Sequence, residues 1–60
     1  MKILFYKEMT PLHLAGQNGH VAAIEALLAL GATVTAKDSY GKTACDRAAQ
    51  DGHVDTVWRL

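Results

Sequence analysis

The 60-residue sequence has a single cysteine, Cys45. That excludes an internal disulfide framework and a zinc site built on several thiolates. There is no excess charge of either sign, because six Lys and Arg stand against six Asp and Glu. Nucleic-acid and anionic-membrane binders rely on clustered cations, so neither partner is expected. A long hydrophobic run is also missing. Ile3-Leu4-Phe5-Tyr6 meets Lys7-Glu8 at once, whereas a bilayer span needs about 20 apolar residues and a secretory signal about 7–15. The expectation is a cytoplasmic chain with a reduced thiol.

What is present describes a soluble, core-forming chain. Half the residues are hydrophobic and 20% are charged, unlike a disordered tail. At this length there is at most one domain. Such a chain removes only about 60% of its unfolded surface from water, so its fold is marginal unless reinforced.

The sequence repeats itself. A shift of 33 positions aligns Thr10–Leu27 with Thr43–Leu60, and 7 of 18 pairs are identical. They include Ala15/Ala48, Gln17/Gln50 and the block Gly19-His20-Val21 on Gly52-His53-Val54. Thr10 can cap a helix with its hydroxyl, and Pro11 suits the first helical position, where an N–H would be unpaired anyway. Leu12, Leu14 and Ala15 give this short helix apolar contacts, and Gly19 can end it in a left-handed conformation. A second helix is predicted over Val21–Leu30. Val21, Ile24, Leu27 and Leu28 form its apolar stripe, and several alanines favour helix and close approach. Gly31 ends it. The β-branched stretch after it does not prolong the helix comfortably, and Asp38, Ser39 and Gly41 carry turn chemistry. The cycle then restarts at Thr43, with Asp46 placed to complete a capping box.

These residues resemble an ankyrin repeat. Thr10-Pro11-Leu12-His13-Leu14-Ala15 reads T-P-L-H-x-A, in a unit of about 33 residues made of a turn and two helices. Asp38-Ser39-Tyr40-Gly41-Lys42-Thr43 is similar to the D-x-x-G-x-T opening of a following repeat. The resemblance implies an all-α fold, with helix-turn-helix repeats stacked side by side and joined by a β-turn or hairpin finger. It divides the chain into an irregular segment 1–8, a first repeat 9–37 and a second repeat 38–60 truncated in its second helix. Three features depart from the pattern. Phe5-Tyr6-Lys7-Glu8 lacks the Asp and Gly of a first turn. Asp46 and Arg47 make the second unit's first helix more polar, as suits a terminal repeat with a wet face. Fewer than two units are present, where about three are usually needed. The chain is therefore expected to be a piece of a longer array, to be poorly folded alone, or to self-associate. Ile3, Leu4, Phe5 and Tyr6 can serve as a makeshift cap or a sticky edge.

No catalytic, cofactor or metal site is expected. His13, His20 and His53 do not form H-E-x-x-H. The resemblance implies that His13 bonds the Thr10 turn and that His20 and His53 bridge loops of adjacent repeats. Cys45, Asp46 and His53 can be drawn as nucleophile, orienter and base. Yet Cys45 aligns with the core residue Leu12, so a buried, inert thiol is expected. A helix-turn-helix DNA reader needs a basic recognition helix, and Val21–Leu30 has neither Lys nor Arg. Trp58 aligns with Glu25 and is expected on a wetter face, packed against missing sequence or a partner. Met9 and Tyr40, beside turns, are expected to be exposed.

The resemblance implies a protein-binding scaffold that uses turn tips and the concave side of each first helix. Carried over by position, that surface comprises Met9, Gln17, Asn18, Ser39, Tyr40, Lys42, Gln50 and Asp51, with Tyr6 and Lys7 on the less regular turn. Two alternatives stay open: a module that self-associates through its exposed repeat faces, or a regulatory segment of a larger enzyme.

Overall fold

Thr10 and Thr43 set the frame of the structure, a computed structural model that describes residue 4 and residues 6–60. Expectations resting on Ile3, Phe5 and the side chain of Tyr6 lie outside the described residues. Both threonines are extended, and each hydroxyl accepts a backbone N–H three residues on, from His13 at 3.3 Å and from Asp46 at 3.2 Å. The return bonds close both boxes. Thr10 N–H donates to His13 Nδ1 at 3.2 Å, and Thr43 N–H donates to Asp46 Oδ2 at 3.0 Å. An imidazole thus does for one helix what a carboxylate does for the other. These boxes start α1 (Pro11–Gln17) and α3 (Ala44–Gln50).

Each of those helices runs into a left-handed glycine, Gly19 or Gly52. The chain then reverses, with His20 N–H bonded to the Ala15 carbonyl and His53 N–H to that of Ala48. α2 (Val21–Ala29) and α4 (Val54–Arg59) follow. α2 stops one residue short of its predicted end, where Leu30 N–H reaches the carbonyls of Ala26 and Leu27. α2 packs beside α1 and α4 beside α3, while α1 meets α3 and α2 meets α4. No strand occurs among the described residues, and the fold is all-α. Leu12, Ala15, Ile24 and Ala44 form the core, with Leu27, Leu28, Ala32 and Leu60 packed against it.

Positions 33 apart differ in burial, and the difference gives the direction of stacking. Leu12 and Ile24 are buried, whereas Cys45 and Val57 are only half-buried. Conversely, Ala44 and Thr56 are buried, whereas Pro11 is half-buried and Ala23 exposed. The second helical pair therefore lays one face on the first. This corrects the expectation of a buried Cys45 thiol, which is half-buried.

The first turn forms without its glycine. Glu8 adopts φ 60° where Gly41, 33 residues on, adopts φ 73°. Lys7 is left-handed as well, at φ 62°. Side-chain-bearing residues are disfavoured there by about 1–2 kcal/mol each. Leu4 is exposed.

Candidate functional site

Asp38 organises the loop between the helical pairs. Its Oδ1 accepts the N–H groups of Tyr40 at 2.9 Å and Lys42 at 3.0 Å. Its own N–H reaches the Lys42 carbonyl at 2.9 Å, and Gly41 N–H returns to the Asp38 carbonyl at 3.0 Å. The other carboxylate oxygen, Oδ2, receives Arg47 Nε at 2.8 Å and Nη2 at 2.6 Å. Burial by itself would raise the Asp38 carboxyl. The Lys42 N–H, the Arg47 guanidinium and the Tyr40 N–H outweigh it and bring the pKa down from 3.8 to about 2. A charged, fully bonded aspartate thus fixes the finger at its root.

Two further bonds tie this finger to the first helical pair. Ser39 N–H donates to the Lys7 carbonyl at 2.9 Å. His13 Nε2 donates to the Lys42 carbonyl at 2.6 Å while its Nδ1 accepts the Thr10 N–H. That pattern assigns the ring proton to Nε2. On the outer side, Lys7 Nζ lies over the Tyr40 ring, 4.7 Å from its centroid, and the Arg47 guanidinium carbon lies 5.7 Å from it. Tyr40 nonetheless remains 60% exposed as a residue. Asp46, beside the finger, is held below the usual carboxylate range by the Thr43 N–H and hydroxyl, with Lys42 and Lys37 adding to the effect against a smaller opposing effect of burial.

Of the residues carried over as a contact surface, Asn18, Ser39, Tyr40, Lys42, Gln50 and Asp51 are exposed and Gln17 is half-buried. Met9 is not exposed: it is buried at 6%, which corrects the expectation for it. Met9 directly precedes the Thr10 cap, a position where apolar side chains commonly turn inward. Arg47 is also more than a polar residue on a wet face, since it is half-buried and braces the finger through Asp38.

The histidines separate into two roles. His53 Nε2 donates to the Gln17 carbonyl at 3.0 Å, across the junction between the helical pairs. Gly19 permits that approach, because a Cβ there would stand 2.7 Å from His53 Nδ1. His20 is exposed, and its ring makes no hydrogen bond among the described residues. Among the described residues it therefore bridges no loops, unlike the expectation for it. Asp46 is bonded to Thr43 and His53 to Gln17. Among the described residues, no three of His, Cys, Asp and Glu cluster as metal ligands, and no helix is long and apolar enough to cross a membrane.

A family described as "Ankyrin repeats (3 copies)" matches residues 2–60. The chain is similar to the ARF GTPase-activating protein GIT2 of Mus musculus, at 43% identity over 54 residues, which is 90% of this chain and 8% of that protein. The Homo sapiens protein of the same name matches at 43% over 90% of this chain and 7% of its own length. A transient receptor potential cation channel subfamily A member 1 homolog from Caenorhabditis elegans matches at 45% over 49 residues, 82% of this chain and 4% of that protein. The chain thus spans less than a tenth of the length of these relatives.

Proposed function

The chain belongs to the ankyrin repeat family, and on that premise we propose that it is an interaction scaffold, binding a partner protein at its finger tips and along the concave side of α1 and α3. Members of such families are generally protein–protein interaction modules, without a reaction of their own. The observation that supports this reading is the presentation of Tyr40. The residue is largely exposed, yet its backbone N–H is fixed by buried Asp38. Little conformational entropy is then lost when a partner covers it. Ser39 and Lys42 flank it, and Asn18, Gln17, Gln50 and Asp51 extend the surface at the ends of α1 and α3. Within this proposal the chain works in the cytoplasm, as a segment 1–8 and two units, 9–37 and 38–60. Met9 supports the surface from inside.

The test is a triple substitution of Tyr40, Lys42 and Gln50 to Ala, measured against a partner captured with the full-length protein. Affinity is expected to fall at least about tenfold while the far-UV circular dichroism is retained. Unchanged affinity would move the contact elsewhere. A second reading, a regulatory segment of a larger enzyme, is favoured by the small share of each relative that the chain spans, one relative being named a GTPase-activating protein. The transcript flanking this segment decides between them.

A further inference from the structure

We propose that Asn18–Gly19 is a deamidation site, held shut by His53 of the second helical pair and released when the junction between the two pairs opens. This goes beyond the contact surface proposed above and does not rest on it. Asn18 is the chain's single asparagine, and a glycine follows it. A glycine nitrogen is the least hindered amide that can attack a side-chain carboxamide, since no Cβ stands beside it. In that step the Gly19 nitrogen bonds to Asn18 Cγ and gives up its proton, while the Cγ–Nδ2 bond breaks and Nδ2 leaves as ammonia. Water then opens the five-membered imide at either carbonyl. One opening leaves aspartate at position 18. The other leaves isoaspartate, with the main chain routed through Cβ.

The turn holds both the reacting groups and their restraint. Asn18 is exposed to water, and its carboxamide makes no hydrogen bond among the described residues. The main chain, however, is set against reaction. Asn18 has φ −93° and ψ 0°, so the Gly19 nitrogen eclipses the Asn18 nitrogen and lies aside from the side chain. Gly19 N–H donates to the Gly16 carbonyl at 3.2 Å, and His20 N–H donates to that of Ala15 at 3.0 Å. His53 pins the turn from the second pair. Its Nε2 donates to the Gln17 carbonyl at 3.0 Å, and its Nδ1 lies 2.7 Å from where a Gly19 Cβ would stand. Closing the imide ring requires the peptide between residues 18 and 19 to rotate. That rotation breaks the Gly19 bond and displaces the glycine from beside the His53 ring. The junction must therefore open before the reaction, as in amide exchange.

The second unit shows what each product does to the turn. Asp51–Gly52 occupies the equivalent place. Asp51 has φ −93° and ψ 7°, nearly the angles of Asn18. Gly52 N–H donates to the Ala49 carbonyl at 3.1 Å, and His53 N–H donates to that of Ala48 at 2.9 Å. Aspartate therefore fits this turn without changing it. Isoaspartate does not. It adds one main-chain atom directly before Gly19, beside a ring that leaves no room for even a methyl group. The left-handed glycine is displaced, and the His53 bond to Gln17 is lost. The modification thus acts as a one-way latch. Opening the junction lets it form, and the isoaspartate product keeps the junction from closing again.

Peptide mapping by mass spectrometry, on the 60-residue chain aged near neutral pH, tests this. Asn18 is expected to deamidate slowly in the folded chain and at least about tenfold faster in urea above the unfolding midpoint. Folded His53→Ala is expected to speed the reaction at least about fivefold, the weight of one net hydrogen bond. If His53→Ala loses its far-UV helical signal, His53→Phe takes its place with the same expectation, because it keeps a ring and removes only the donor. The isoaspartate form, separated by chromatography, is expected to melt clearly below the unaltered chain, whereas Asn18→Asp is expected to melt close to it. Equal rates in the folded chain and in urea overturn the proposal, since nothing would then be held shut. So does an Asn18 that stays intact in urea, a folded His53 variant that ages at the unaltered rate, or an isoaspartate form that melts together with Asn18→Asp.

Discussion

Thr56 has a fully buried side chain whose hydroxyl has no hydrogen-bond partner among the described residues. Its counterpart is Ala23, an exposed alanine, so the unit's shape does not demand a hydroxyl there. An unpaired buried hydroxyl costs about 1–3 kcal/mol in desolvation. Valine keeps the branched shape and removes the polar atom. Thr56→Val is therefore expected to stabilise the chain by about 1 kcal/mol, raising the thermal midpoint by about 4–8 °C in a domain of this size. A melt followed at 222 nm checks it, and a lower midpoint would mean that the hydroxyl has a partner after all. Arg47 shows the opposite situation. Its charge is costly to bury alone but is matched by a double contact with Asp38.

The helix starts and the turns were legible in the sequence because they are local. Thr10, Pro11, Thr43 and Asp46 act within three residues of one another, and both capping boxes follow from that spacing. The finger was only half legible. Asp38 reads as a turn residue, but its bond to Arg47 depends on how α3 is rotated against the loop, which the local sequence pattern does not specify. The same carboxylate gives the element its pH response. Its pKa lies at about 2 in the folded chain against an ordinary 3.8, so the ionised form is favoured by folding. That stabilisation is fully present above about pH 4 and is lost as pH falls toward 2. Thermal midpoints of the unaltered chain and of Asp38→Asn are expected to differ clearly at pH 6. The gap is expected to narrow below pH 4 and to close near pH 2. A gap independent of pH would assign the effect to packing rather than to charge.

At the scale of the molecule, the 33-residue shift reveals two like units and which positions are apolar, but not which unit buries which face. Leu12 and Cys45 occupy equivalent places, yet only Leu12 is covered, because burial here is decided by having a neighbour rather than by residue type. Stability is shared in the same way. Ile24 has no exposed surface and belongs to a cluster that joins α1, α2 and α3, with Leu60 packed against it. A chain of this length has a total stability of about 3–9 kcal/mol, and truncating a buried isoleucine removes about 2–5 kcal/mol. Ile24→Ala is thus expected to bring the chain close to unfolding at 25 °C. The second helical pair reaches the same cluster through Ala44 and Leu60, so both pairs should fail together. Urea titration should show one transition, and amide exchange should show α1–α2 and α3–α4 losing protection in parallel. Protection that persists in α3–α4 after it has gone from α1–α2 would mean that the second pair stands without the first, and that the stack is not the unit of folding.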